Sequence, residues 1–342
     1  MTHLEQVLIE TIQDDFPLVE RPYKALAEML NVSEQEVFDA VEGLRSSGVI
    51  RRIGGVYDSK KLGFISRLCA GKVPVSLLDF CAEHHAETAM EKFAAVVNDV
   101  PAITHNYIRS HEYNVWFTVI AENEPEILKI VEKLCAATDL HDVHVMSATR
   151  KFKINTVMKG GARDNCERRE SRPTQMGLAD AAERHSDNRR LEESDKSRIR
   201  TACEDIPHSL TPFKDWGVSC EELREDVALK RMRRFGAILR HQNAGFAFNA
   251  MVCFSLRSEN VAAAGSVLAS NLHISHCYER PSFEGFPYNV YAMMHANSAE
   301  LLSQYVADSV NDLNSLQSSP VDYVVLHSVR ELKKTSFKFF AG

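Results

Sequence analysis

At 342 residues the chain is too long for one ordinary domain and long enough for two or three. Apolar residues make up 44% and charged residues 25%, the balance of a globular chain with substantial cores, and no apolar run is long enough to span a membrane. Forty Lys+Arg against 47 Asp+Glu give a net charge of -7, the wrong sign for a protein that lives on a phosphate backbone. The 8 cysteines include no CxxC pair, which argues against structural zinc, Cys-rich iron–sulfur motifs and a disulfide framework. The opening MTHLEQVLIETIQDDF is amphipathic and acidic, unlike a secretory signal, so the chain reads as cytoplasmic.

In chain order, Leu4 to Phe16, Pro22 to Leu30 and Ser33 to Ser47 carry apolar residues at helical spacing. Ser33 and Glu36 form an S-x-x-E capping box, and Gly48 supplies the stop. A strand with a glycine pair, Ile50 to Tyr57, completes a winged helix-turn-helix over residues 1–60. Residues 61–158 then read as strand (Phe64 to Val73), helix (Val75 to Asn98), two strands (Ala102 to Arg109, Tyr113 to Ile120), helix (Glu124 to Thr138) and strand (Val143 to Ile154). That order is the βαββαβ of a ferredoxin-like unit. Residues 159–190 are polar, charged and nearly free of large apolar side chains, and read as a tether.

Beyond the tether the pattern returns. RRIGGVYDSKKLGF from Arg51 matches RRFGAILRHQNAGF from Arg233 without gaps, THNYIR from Thr104 matches SHCYER from Ser275, YNVWFTV from Tyr113 matches YNVYAMM from Tyr288, and VMSATRKFK from Val145 matches VLHSVRELK from Val325. Near-constant offsets in one order mean a duplicated unit. The fold class is therefore α+β, with a second winged segment over 191–243 and a second βαββαβ over 244–342. The second set of strands is expected near Phe246 to Leu256, His273 to Arg280, Tyr288 to His295 and Val321 to Lys333. Pro212 to Arg233 spans 21 positions where Pro22 to Arg51 spans 29, so the second helix-turn-helix is expected to be degenerate. The copies should pack as an internal pseudo-dimer with their sheets paired; further homo-oligomerisation is left open.

A winged helix joined to βαββαβ resembles the Lrp/AsnC regulators. The phrases G-x-I-R-R-[IF]-G-[GA], [LA]-G-F, H-x-Y-x-R and Y-N-V more specifically resemble the siroheme decarboxylases, with RRFGAILRHQNAGFAFNAM the most specific segment. The resemblance covers nearly all of the chain outside the tether and implies a natural fusion of two subunits. It implies removal of the C12 and C18 acetate carboxyls of siroheme to give 12,18-didecarboxysiroheme in haem or denitrification-haem biosynthesis. No cofactor would be added, because the iron travels with the substrate.

The residues favour an enzyme over a DNA reader. The helix that would enter the major groove carries Glu34, Glu36, Asp39 and Glu42 against Arg45 alone, which the phosphate rails would repel. A regulator and a haem-binding sensor remain the alternatives. Arginines gather instead at Arg51 and Arg52, at Arg233, Arg234 and Arg240, and at Arg109 and Arg280. Their guanidinium forks suit carboxylates, although wing arginines also commonly form weak surface ion pairs. Alternation places His276, Tyr278 and Arg280 on one strand face. His241, His295 and His327 have no histidine counterpart in the first copy, which favours a site in the second. His241 and His276 are the candidate proton donors. Arg51, Arg52, Tyr57, His105, Arg109, Arg233, Arg234, Arg240, Tyr278, Arg280, Tyr288 and His295 are candidate substrate contacts, and no resident metal is expected.

Overall fold

The computed structural model describes residues 1–73, 93–138, 140–154, 191–240, 248–317, 319–335 and 337–340. The tether, His241 and most of the helix expected over 75–98 lie outside the described residues. The chain divides into two compact units. One takes Met1–Leu62, Val157–Gly245 and Lys338–Gly342, and the other Gly63–Thr156 and Phe246–Phe337. Each unit therefore contains elements of both copies.

In the winged unit, β1 (Ile50–Tyr57) pairs antiparallel with its counterpart β7 (Met232–Leu239). The register centres on Gly54 opposite Gly236, flanked by Ile53 opposite Ala237 and Gly55 opposite Phe235, a pseudo-two-fold arrangement. The end of the first helix of each copy lies over the other copy's wing. A Cβ on Gly54 would meet the Glu204 carbonyl at 2.4 Å, and one on Gly236 would meet the Gln13 carbonyl at 2.5 Å. Glycine is needed at both positions because backbone oxygen occupies the space of a side chain. Matching backbone bonds close the exchange: Phe16 N–H donates to Phe235 O at 3.0 Å, and Ile206 N–H to Ile53 O at 2.9 Å.

The first copy forms its helices as the capping signals require. Ser33 accepts from the Glu36 N–H at 3.2 Å while the Glu36 carboxylate accepts from the Ser33 N–H at 2.9 Å. The degenerate second copy keeps the three-helix order but trims it. Pro22–Leu30 and Glu34–Ser46 have 9 and 13 residues, whereas Pro212–Trp216 and Cys220–Ala228 have 5 and 9. Each helix has lost about one turn.

The other unit is one nine-stranded sheet. The first copy supplies β2 (Ile65–Lys72), β3 (Ile103–Arg109), β4 (Val115–Ala121), β5 (His141–Met146) and β6 (Arg150–Ile154). The second supplies β8 (Phe248–Ser255), β9 (Ile274–Glu279), β10 (Val290–Ala296) and β11 (Asp322–Lys334). The order is β5-β2-β4-β3-β11-β8-β10-β9-β6. Each copy keeps the ferredoxin-like order, and its last strand crosses to the other copy's H-x-Y-x-R strand. β11 pairs first with β8 and then with β3, and β6 pairs with β9. The strand expected over 143–154 is thus two strands, broken at 147–149, because its end belongs to the opposite half.

One face of each half carries helices over its own core. Phe117, Ile127 and Leu134 represent the first core; Phe254, Leu268 and Leu313 represent the second. The opposite faces share a third apolar layer that includes Tyr113, Trp116, Met146, Cys253, Phe286, Tyr291 and Leu326. This layer joins the copies. Among the described residues, no helix is long and apolar enough to cross a membrane.

Candidate active site

Strand alternation builds the site as a ladder on β9. The His276 and Tyr278 rings lie 6.1 Å apart and nearly parallel, and the Arg280 guanidinium sits over the Tyr278 ring at 5.1 Å. Arg280 lies four positions beyond His276, just past the end of β9, about 13 Å along the extended chain. On β3 the same ladder begins again, with the Arg109 guanidinium over the Tyr107 ring at 5.0 Å.

The two arginines are pseudo-symmetric and oddly partnered. Arg109 donates to the Leu326 carbonyl at 3.0 Å, and Arg280 to the Met146 carbonyl at 3.2 Å, each reaching the opposite copy. The Nε of each is buried with no hydrogen-bond partner. Neither has a carboxylate partner among the described residues. Burial pulls the Arg109 guanidinium down to about 10 and lowers that of Arg280 as well. The buried Cys253 thiol, pushed up by burial, lies within electrostatic reach of both. Uncompensated buried cations are costly, and a carboxylate would offset that cost.

The second copy adds a feature the first lacks. Ser275 Oγ lies 2.9 Å from His276 Nδ1 and 2.9 Å from His295 Nε2. His295 stands opposite Asn249 of β8, whose Oδ1 is buried without a hydrogen-bond partner. In the first copy Thr104 Oγ1 lies 2.9 Å from His105 Nδ1, but Ile120 takes the place of His295. Two half-exposed apolar side chains mark this end of the sheet: Ile154 opposite His276 and Phe248 opposite Ala296.

The remaining candidates fall elsewhere. Tyr288 packs in the layer between the copies, 4.8 Å from Phe286. His327 is exposed on β11. Arg52 donates to the Glu204 and Gly55 carbonyls, and Arg234 to those of Gln13 and Ala237, so both tie helix ends to wings. Tyr57 donates to Asp226 at 2.9 Å inside a buried network with Arg198 and Arg231. Arg233 pairs with Asp58 at 3.3 Å, Arg240 is exposed and donates its backbone N–H to Val49, and Arg51 is half-buried on β1. Arg52, Arg234 and Tyr57, expected as substrate contacts, are thus engaged in holding the winged unit together.

Sequence reasoning missed Ser275, although its match to Thr104 lay in the aligned THNYIR and SHCYER. It also missed an aromatic latch between the copies. The β9–β10 loop outgrows its β3–β4 counterpart and turns tightly between Phe283 and Phe286. Phe283 stacks on His144 at 3.9 Å and meets the Tyr113 ring edge-on at 5.0 Å. Among the described residues, no group of three or more His, Cys, Asp or Glu is placed to hold a metal ion.

Known proteins share this architecture throughout. A model of the AsnC-like ligand-binding domain matches residues 61–153 and 243–333, and one of the siroheme decarboxylase NirDL-like HTH domain matches 5–51. The siroheme decarboxylase of Hydrogenobacter thermophilus is 30% identical across 98% of this chain and 94% of its own. The chain belongs to the siroheme decarboxylase family. The crystal structure of the siroheme decarboxylase NirDL superimposes with a TM-score of 0.66 at 26% identity, covering 99% of this chain and 95% of that one. A second NirDL structure, in co-complex with an iron-uroporphyrin III analogue, gives 0.63 at 25% identity over 98% and 95%. The helix-turn-helix model matches only the first copy, in keeping with the trimmed helices of the second.

Proposed function

We propose that this chain removes CO2 from the C12 and C18 acetate side chains of siroheme, giving 12,18-didecarboxysiroheme, and that the second copy carries the chemistry. The family match through both copies supports the reaction. The paired imidazoles of His276 and His295, present in one copy only, support its location.

Loss of CO2 leaves an electron pair on the methylene carbon beside the pyrrole, and the conjugated macrocycle can delocalise it. The macrocycle thus supplies its own electron sink, so no added cofactor enters this reading, and the iron is part of the substrate. The protein must hold the carboxylates, exclude water from the one that leaves, and deliver a proton to the carbon. Arg280 and Arg109 offer buried N–H groups without a carboxylate, suited to the first task. Tyr278, flanked by His276 and Arg280, adds an aromatic edge to the same strand face, suited to contact with a flat ligand. His276 is the proton donor that the described residues favour. His241, seven positions before Phe248 and outside the described residues, stays a second candidate.

Anaerobic incubation with siroheme, followed by mass analysis of the tetrapyrrole, tests the reading. Loss of two CO2 is expected. Unchanged siroheme on the protein would instead mark a haem-binding sensor, and sequence-specific duplex binding would mark a regulator.

A further inference from the structure

Ser275 bridges the two imidazoles of the second copy with one hydroxyl. A hydroxyl has a single proton to donate and two lone pairs to accept with. With ring nitrogens at 2.9 Å on both sides, it can donate to one ring while accepting from the other. The Met293 carbonyl, at 3.4 Å, is the longer alternative acceptor for the same proton. When His276 is the imidazolium, its Nδ1–H has to donate to Ser275 Oγ, and the hydroxyl proton then turns to His295 Nε2. Hydrogen bonds accepted from a charged group are the stronger kind, so this arrangement stabilises the protonated ring. It also fixes the ring's rotation and leaves Nε2 as the nitrogen not engaged by Ser275.

We propose that Ser275 is a positioning residue for proton delivery by His276, with His295 as the acceptor that orients the hydroxyl. The inference rests on the reading of His276 as proton donor. In the step itself the C–C bond to the carboxylate breaks, its electron pair stays on the methylene carbon, and CO2 leaves. The proton on His276 Nε2 moves to that carbon. His276 becomes neutral with Nδ1–H still donated to Ser275, and solvent returns one proton before the second acetate reacts. The orienting hydroxyl plays the part that a carboxylate plays behind a catalytic histidine elsewhere, setting tautomer and angle without itself reacting.

The first copy provides the control. Thr104 holds His105 Nδ1 at the same 2.9 Å, so a threonine hydroxyl can make this bond on this strand. The test uses the full chain with siroheme under anaerobic conditions, reading kcat and KM by mass analysis and substrate binding by Soret titration. Ser275→Ala should lower kcat on the order of 10–10²-fold, while KM changes by less than about threefold. Ser275→Thr should restore kcat to within about threefold of the parent. Ser275→Ala with a normal kcat, or Ser275→Thr as slow as Ser275→Ala, would overturn the positioning role. His276→Ala separates this from the underlying reading. If His276→Ala is inactive while Ser275→Ala is normal, only the role of Ser275 falls; if His276→Ala turns over normally, the assignment of the donor falls too.

Discussion

The two copies carry the same H-x-Y-x-R strand into the same sheet and differ in what stands beside its histidine. In the second copy His276 meets Ser275 and, through it, His295; in the first, His105 meets Thr104, and Ile120 closes the series. The arginines, by contrast, are alike. Arg109 and Arg280 each reach one carbonyl of the opposite copy and keep a buried, unbonded Nε. Duplication has kept the buried arginine in both halves and the serine-bridged histidine pair in one, which the proposed reading takes as carboxylate binding by both copies and proton delivery by the second. The lesson is that pseudo-symmetry in a fold need not extend to its chemistry.

The largest effect should come from breaking that asymmetry. His276→Ala should fold and bind siroheme but lose turnover by roughly 10²–10⁴-fold, the scale of general acid catalysis, whereas His105→Ala should stay within about tenfold of the parent. Rates under anaerobic saturation decide it; comparable losses in both variants would make the two copies equal partners.

A second contrast lies in the winged unit. The first copy's helix Glu34–Ser46 buries Val37, Val41 and Leu44, while the shortened Cys220–Ala228 buries Leu223 and Asp226. Asp226, fully buried, receives Tyr57, Arg198 and Arg231. Asp226→Ala would strand those donors and should cost about 3–5 kcal/mol in urea unfolding, and a loss below about 1 kcal/mol would show that the network is solvated after all.

Smaller effects probe the shared features. Arg280→Lys keeps the charge but removes the fork, and should weaken siroheme binding by about 1.5–3 kcal/mol in a Soret titration, with Arg109→Lys doing the same. A change in one variant alone would mean that the arginines are not equivalent. Gly54→Ala and Gly236→Ala push a methyl into facing helix-end carbonyls, and each should cost about 1–3 kcal/mol of thermal stability. Unequal losses would break the pseudo-two-fold of the wings.

Much of this was legible in the sequence, for physical reasons. The period-two alternation of a strand puts His276, Tyr278 and Arg280 on one face whatever their surroundings. The S-x-x-E of Ser33 and Glu36 caps its helix through bonds that span three residues. Long-range pairing left no such local trace. Nothing in Val145 to Ile154 announces that the strand breaks and finishes in the other half of the sheet. The charge of Arg52 and Arg234 suggested ligand contacts, but charge alone does not distinguish a surface fork from a buried one spent on helix-end carbonyls. Ser275 is a small hydroxyl whose importance appears only when a turn of the sheet brings His295 beside it.

The most direct measurement is the structure of the His276→Ala chain loaded with siroheme under anaerobic conditions. The account predicts an acetate side chain of the macrocycle beside position 276, its ring against Tyr278, and a carboxylate on Arg280 or Arg109. Acetates lying beside His105, or a macrocycle bound away from both ladders, would contradict it.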